Sequence, residues 1–300
     1  MSKNSRIRER ILILALDFTL FTVLLFGFAY FHHVRIDRRG PVALTTRQPS
    51  ATPTATPAPD AADTSAGPTP TPAPTIDPND LLQGKYADRF SDDGTVTVTD
   101  DSYQSGAVSI TVDMVQTDSV TYYVADIYIK YLESFRAGLA LEHSNKWMST
   151  LDLAKACDAI VAISGDFYGF RSTGVVAVRN GQEWRKKLPL ESDLLVMYYD
   201  GSMETISAEE ADVDAIYAAG PYQIWCFGPE LLRDGRAITE FVNSVKGRNP
   251  RSAIGYFEPG HYCFVLVDGR QRGYSLGMTL EELAQLFEDL GCVYAYNLDG

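Results

Sequence analysis

The sequence predicts an α+β protein: a mixed β-sheet domain with a few short helices, preceded by a transmembrane helix and a disordered linker. Three observations lead to this fold class. A single apolar run lies near the N-terminus, a Pro/Thr/Ala-rich stretch follows it, and β-type runs separated by hairpin turns fill the remainder. Helical patterns are too few between the strands for a doubly wound parallel fold.

Residues 11–34 are predicted to form a signal-anchor that crosses the membrane. The run contains one charged residue, Asp17, and is long enough to span a hydrocarbon core of roughly 30 Å. More basic residues precede the run than follow it, which favours a cytoplasmic tail at residues 1–10. Its length, and the lack of a small-x-small cleavage site, favour an anchor over a cleaved signal peptide. We therefore expect a single-pass membrane protein whose main domain is extracytoplasmic.

Residues 35–80 are predicted to be a disordered linker. Pro, Thr and Ala dominate this stretch, and large apolar residues are nearly absent from residue 41 onward. Such a composition cannot bury enough surface to offset the entropy lost on ordering. We interpret the linker as a spacer between the membrane and the domain at residues 81–300.

The strand signals begin soon after residue 81. Alternating or β-rich runs such as "AVSITVDMVQT" and "VTYYVADIYIKYLESF" predict strands. The continuous apolar run 159–163 predicts a strand that is buried on both faces. Asn180-Gly181 and Asp200-Gly201 predict hairpin turns.

Three short helices are expected in the same domain. The segment "STLDLAKACDA" predicts the first of them. Capping boxes beginning at Ser207 and Thr279 predict the starts of the other two. Gly220, followed by proline, and Gly291 predict where these two helices end.

Charge and cysteine content exclude several classes of function. The chain carries a formal net charge of −13, and its basic residues are enriched in the first forty positions, so the domain has no basic stripe for a nucleic acid. The cysteines have no CxxC spacing, which excludes zinc-ribbon and thioredoxin-like sites. Buried free thiols are favoured, although an exported domain could pair them and the pairing stays open. The four cysteines are Cys157, Cys226, Cys263 and Cys292.

Polar groups at three predicted strand ends are the site candidates. The first is Ser164-Gly165-Asp166, for which a simple Asx-type turn is the alternative. The second is Arg251, at the start of a strand after a basic loop, because guanidinium suits a phosphate or carboxylate. The third is the final "YNLDG", where Asn297 and Asp299 should share one face by strand alternation.

Taken together, the stretches "ISGDFY", "RSAIG", "VLVDGR", "GMTLEELAQLFEDLG" and "YNLDG" resemble the phosphodiester glycosidase family. The resemblance covers residues 149–300. The family includes enzymes that remove N-acetylglucosamine from a phosphodiester, and bacterial members described as exopolysaccharide-related. The resemblance implies cleavage of a glycosyl C1–O–P bond in a sugar 1-phosphodiester or phosphorylated glycan of the envelope or extracellular space.

The resemblance also implies roles for the candidate residues. Asp299 and Asp166 would be the catalytic carboxylates, in roles that cannot be divided between them from sequence. Substrate binding would fall to Arg251, which would hold the phosphate, and to Asn297, Gly165, Gly300 and Ser164. Ser164 departs from the family pattern, since members commonly place Asn there.

Other expectations follow from the same motifs. In the family, Asn-Leu-Asp-Gly is followed by further residues, so we expect the 300 residues to be truncated at the C-terminus. No cofactor is certain; a divalent cation bridging carboxylates and phosphate is possible, without a dedicated ligand cluster. The alternative function is a non-catalytic glycopolymer-binding protein that organises the cell wall or exopolysaccharide.

The membrane topology can be checked with protease on intact cells. We expect cleavage to release a soluble fragment that begins within or after residues 41–80, because the linker is accessible and the anchor stays in the membrane. Immunoblotting of the released fraction, with a cytoplasmic protein as the control, measures this. Full protection of the domain in spheroplasts would contradict the topology.

Overall fold

The computed structural model describes residues 42–43, 77–140, 148–166, 174–242 and 245–300. The predicted tail, the predicted anchor and most of the predicted linker lie outside these described residues. Within them, no helix is both long and apolar enough to cross a membrane.

A nine-stranded sheet forms the larger part of the described fold. Its spatial order is β13 (Arg236–Ala237), β12 (Glu230–Arg233), β16 (Tyr294–Leu298), β14 (Arg251–Glu258), β15 (His261–Val267), β5 (Thr121–Ile129), β4 (Val108–Gln116), β3 (Ser102–Gln104) and β2 (Thr97–Val98).

A five-stranded sheet forms the second layer. Its order is β10 (Met203–Ile206), β9 (Leu194–Tyr198), β11 (Pro221–Cys226), β7 (Val175–Arg179) and β8 (Gln182–Lys187). A two-stranded ladder joins β1 (Val42–Ala43) to β6 (Gly138–Leu139).

The sheet-dominated α+β architecture with a few short helices is confirmed. Strand direction is more uniform than in the mixed sheet we expected, since every strand pair in the described parts of the chain is antiparallel. Tight hairpins, of the kind the sequence signals, join only antiparallel neighbours, whereas a parallel pair needs a long crossover.

The two large sheets enclose the main core between them. Leu195, Met197 and Trp225 from the five-stranded sheet belong to one buried cluster with Ile254 and Tyr296 from the nine-stranded sheet. This intersheet core fixes the inward face of both sheets.

Helix α3 (Leu280–Leu290) covers the opposite face of the nine-stranded sheet. Leu283 and Phe287 pack in one cluster with Ala253 of β14 and Ala295 of β16. Because strand side chains alternate between faces, odd-numbered residues of β14 and β16 point toward α3, and even-numbered residues point toward the intersheet core. This alternation decides where the candidate site residues can meet.

The helix at Thr279 agrees with the prediction, whereas the one predicted at Ser207 begins later. Thr279 caps α3 in a complete capping box, and Gly291, at φ 84°, ends that helix. Ser207 caps only a turn, with the Glu210 amide 3.3 Å from its hydroxyl.

The second helix, α2 (Val213–Ala219), begins after Asp212 and ends at Gly220, at φ 76°. Val213 and Ile216 are its buried residues, so the helix starts where its apolar stripe reaches the core rather than at the first capping signal. The first predicted helix is confirmed as α1 (Thr150–Ala156), capped by Ser149.

Both predicted hairpins are confirmed. Asn180 (φ 51°) and Gly181 (φ 76°) form the two-residue connection between β7 and β8. Asp200-Gly201 lies in the connection between β9 and β10, with Gly201 at φ 80°.

The strand predicted at residues 159–163 is wrong. The segment forms no ladder with the described strands, and Ile160 is 49% exposed. Val161 and Ile163 pack partly against the intersheet core, while the alternate residues face outward. The segment is thus covered on one side only, and a short apolar run cannot by itself distinguish that arrangement from burial on both faces.

The capping residues Thr279 and Ser207 offer a matched test of where α2 begins. Thr279→Ala should lower the free energy of unfolding by about 1 kcal/mol, because an N-cap that starts a helix is lost. Ser207→Ala should lower the free energy of unfolding by clearly less, because no helix directly follows the turn that Ser207 caps. Urea titrations of both variants measure the difference, and equal losses would contradict the assigned start of α2.

Candidate functional site

The candidate site lies where β14 begins and β16 ends. These strands are neighbours, with Ser252 opposite Leu298 in the ladder, so Arg251 and Asp299 lie side by side at one end of the sheet. The backbone of Gly300 then turns closely over β14. A Cβ atom at Gly300 would lie 2.6 Å from the Cα atom of Arg251, so only glycine fits without a shift of the backbone.

The segment Ser164-Gly165 lies against the same strand end. The Asp299 amide donates to the Gly165 carbonyl at 3.0 Å, and the Ser252 hydroxyl donates to the Ser164 carbonyl at 3.2 Å. The structure therefore brings all three sequence-predicted stretches together at the level of the backbone. Ser164 contributes here through its carbonyl, which any residue at that position could supply.

Asn297 contains an unsatisfied polar atom within the site. The residue is 1% exposed, and its Nδ2 donates to the Gly228 carbonyl at 2.9 Å. Its Oδ1 is buried and has no hydrogen-bond partner among the described residues. A buried acceptor without a donor is costly, so this atom is a candidate for a hydrogen bond from a bound ligand or water.

Arg251 is a buried cation that backbone carbonyls hold in place. Its Nε donates to Met278 at 3.0 Å, and its Nη2 donates to the carbonyls of Val245 at 2.7 Å and Gly247 at 2.6 Å. The residue is 3% exposed, and no ion pair to it occurs among the described residues.

The electrostatics of Arg251 favour an anion. Burial lowers the pKa of its guanidinium, and the negative charge of Glu281 partly opposes that effect. The nearby charge of Arg270 lowers the pKa of Arg251 further. A desolvated cation that lacks a carboxylate partner gains more from a bound phosphate than an exposed one would.

Two of the candidate side chains, those of Arg251 and Asn297, share the α3 face of the sheet. Arg251 is two residues before Ala253 in β14, and Asn297 is two residues after Ala295 in β16. Both alanines pack toward α3, so by alternation Arg251 and Asn297 lie on the same face. The amide of Asn297 donates to the Pro229 carbonyl and that of Asp299 to the Gly165 carbonyl, so both donate to acceptors outside β14.

The five-stranded sheet holds the carboxylate of Asp166. Its carboxylate forms an ion pair with Arg179 of β7 and accepts a hydrogen bond from the Cys226 amide at 2.9 Å. The two ion-paired side chains are 2% and 4% exposed. The Asp166 carboxylate is therefore held by Arg179 and Cys226, while its backbone neighbour Gly165 contacts Asp299.

Arg179 is the residue that sequence reasoning missed. Its guanidinium also donates to the carbonyl oxygens of Val178, at 2.9 Å, and Ile224, and lies 5.7 Å from the ring centre of Trp225. The available signal was an arginine at the end of an apolar strand, "GVVAVRNG", where a buried partner carboxylate is needed.

The described residues contain no group of three or more His, Cys, Asp or Glu side chains that could hold a metal ion. The possible divalent cation thus has no preformed set of protein ligands in this part of the chain, and it stays a prediction.

Residues 158–300 match the family model described as phosphodiester glycosidase. The resemblance seen in the sequence is therefore confirmed for this region, which contains every predicted site residue. A curated relative, the SPbeta prophage-derived uncharacterized protein YomE of Bacillus subtilis (strain 168), is 26% identical over 228 residues. The match covers 68% of this chain and 35% of that protein, so the chain spans about a third of the relative's length.

Two solved structures share the fold. The catalytic domain of zebrafish N-acetylglucosamine-1-phosphodiester alpha-N-acetylglucosaminidase, auto-inhibited by its pro-peptide, is 16% identical with a TM-score of 0.51; the match covers 69% of this chain and 75% of that one. A hypothetical protein from Synechocystis is 14% identical with a TM-score of 0.50, covering 69% of this chain and 58% of that one. At these identities the likeness establishes the shared fold.

The buried ion pair predicts a structural cost at Asp166. Asp166→Ala should lower the free energy of unfolding by about 3–5 kcal/mol, because Arg179 would be left buried and unpaired. Asp214→Ala is the matched control, since Asp214 also pairs with a basic residue, Lys186, but its side chain is 89% exposed. Urea unfolding measures both, and a similarly small loss for each would contradict the structural role.

Proposed function

We propose that the chain is a membrane-anchored hydrolase that cleaves the C1–O–P bond of a sugar 1-phosphodiester in an envelope or extracellular glycan. The proposal includes anchoring through residues 11–34 and an extracytoplasmic position for the domain. The observation that carries it is Arg251, a buried cation without a carboxylate partner in the described residues, beside Asp299 at one end of the sheet. The family match over residues 158–300 supports the class of reaction.

Arg251 would hold the phosphate. Three carbonyls fix its Nε and Nη2, while Nη1 makes no hydrogen bond with the described residues. That nitrogen can donate to a phosphate oxygen without loss of the contacts that orient the side chain. The Oδ1 of Asn297 would accept a hydrogen bond from a sugar hydroxyl, which would satisfy its buried acceptor.

Asp299 would act on the sugar side of the bond. Water adds to C1 while the phosphate monoester leaves with the bonding electrons, so positive charge develops at the ring carbon in the transition state. A phosphate leaves readily, and the demand for a strong general acid is low. A carboxylate that stabilises the oxocarbenium-like carbon or activates the water is the group required.

Asp166 would have an indirect role in this arrangement. Its ion pair with Arg179 anchors the 164–166 segment to the five-stranded sheet. The Gly165 carbonyl of that segment accepts a hydrogen bond from the amide of Asp299. Asp166 would therefore position the catalytic carboxylate rather than contact the substrate.

The activity test uses the full chain and an N-acetylglucosamine 1-phosphodiester with a chromogenic phosphate leaving group. Arg251→Lys should lower kcat/KM by roughly tenfold or more, because an ammonium cannot reproduce the fixed geometry of the guanidinium. Asp299→Ala should lower kcat by roughly 100-fold or more with a smaller change in KM, because its stabilisation is made mainly in the transition state.

Arg236→Lys is the matched control, because Arg236 is an exposed residue at the edge of the same sheet. Unchanged hydrolysis by Asp299→Ala would overturn the catalytic assignment. Glycan binding without turnover by the unmodified chain would instead favour the non-catalytic glycopolymer-binding protein.

A further inference from the structure

Two buried cysteine side chains meet on the α3 face of the nine-stranded sheet. The sulfur atoms of Cys263 and Cys292 are 3.7 Å apart, and the residues are 1% and 2% exposed. Cys263 lies in β15, and Cys292 lies in the short connection between α3 and β16. The two thiols therefore reach toward each other across the central strand β14.

Gly255 of β14 makes this meeting possible. It lies opposite Cys263 on one side and Ala295 on the other. A Cβ atom at Gly255 would lie 2.7 Å from each of the two sulfur atoms and 2.8 Å from the Phe287 ring. Only glycine leaves this space open, so the sequence provides room for both sulfurs directly above the strand.

The other two cysteines lie in different surroundings. The Cys226 sulfur is 3.5 Å from the Gly174 carbonyl in the five-stranded sheet, and the Cys157 sulfur lies next to Gly138. These residues serve as internal controls for any chemistry specific to the first pair.

We propose that Cys263 and Cys292 form a disulfide bond when the chain folds in an oxidising compartment. A disulfide needs its sulfur atoms about 2 Å apart, so each sulfur has to move by only about 1 Å. The bond would join β15 to the α3–β16 connection and close a loop that includes all of α3. The inference does not depend on the hydrolase activity.

The oxidant in this step is a disulfide, either small or carried by a thiol oxidoreductase. One cysteine attacks it as the thiolate and releases one thiol, which leaves a mixed disulfide on the chain. The second cysteine attacks the chain's sulfur in that mixed disulfide and releases the second thiol. The two protein thiols lose two electrons and two protons, and the oxidant leaves as two thiols.

The disulfide would form during folding rather than in the folded protein. The hydrogen bond with Cys292, together with burial, raises the pKa of the Cys263 thiol, so the reactive thiolate is scarce once the sheet has closed. Exchange is therefore fastest while the two cysteines are still exposed. Because both residues are buried, the finished bond would also resist added reductant until the chain unfolds.

The bond can be located directly by mass spectrometry. The full chain is unfolded in reductant, refolded in a mixture of oxidised and reduced glutathione, and blocked with N-ethylmaleimide in denaturant. We expect a proteolytic peptide of Cys263 joined to one of Cys292, with Cys157 and Cys226 alkylated. Alkylation of all four cysteines, or a different pairing, would overturn the proposal.

The stability of the same preparations provides a second measurement. The oxidised chain should melt roughly 5–10 °C above the reduced chain, because the cross-link restricts the unfolded state. Cys157→Ser should keep this difference, and Cys292→Ala should abolish it. A melting difference that persists in Cys292→Ala would count against the bond. If that variant fails to fold, the mass spectrum of the unmodified chain is the deciding measurement.

Discussion

The pairing of β14 with β16 is the constraint on which the rest of the structure depends. The ladder runs from Ser252 opposite Leu298 to Tyr256 opposite Tyr294, and β14 is hydrogen-bonded to β15 on its other side. Because β14 is central, its register determines which side chains meet on each face. A slip by one residue would turn Arg251 toward the intersheet core and Ile254 toward α3, and would remove both the site and much of the core.

The two faces of β14 and β16 have different structural roles. Toward the five-stranded sheet they present large apolar and aromatic side chains, including Ile254, Tyr256 and Tyr296, which build the main core. Toward α3 they present small residues near the middle, which let the helix approach, and polar residues at one end. The positions of Arg251 and Asn297 beyond Ala253 and Ala295 therefore follow from one alternating pattern.

Local signals in the sequence predicted local structure well. Asn180-Gly181 specifies its hairpin because both residues tolerate positive φ, and Thr279 specifies a helix start because an apolar helical stripe follows it at once. The backbone meeting of Ser164-Gly165, Arg251 and Asp299 brings together the three stretches that were selected as site candidates from the sequence.

The features that the sequence did not reveal were those that depended on neighbours distant in sequence. Residues 159–163 have the composition of a buried strand, but whether a neighbour pairs with them is decided elsewhere in the chain. The ion pair of Asp166 was equally hidden, because its partner Arg179 lies 13 residues later in the chain and no local pattern predicts that the two meet. Ser207 has the same capping chemistry as Thr279, and only the position of the core separates their outcomes.

The outermost strands of the nine-stranded sheet have a consequence for how the molecule behaves at high concentration. The strand at each end of the sheet order is two residues long, Thr97–Val98 on one side and Arg236–Ala237 on the other. A free edge exposes unpaired amide and carbonyl groups that can recruit a strand from another molecule, and the hazard grows with the length of the edge. These short borders offer little template for such recruitment. Recruitment of a strand at these two terminal strands is thus limited to a short ladder.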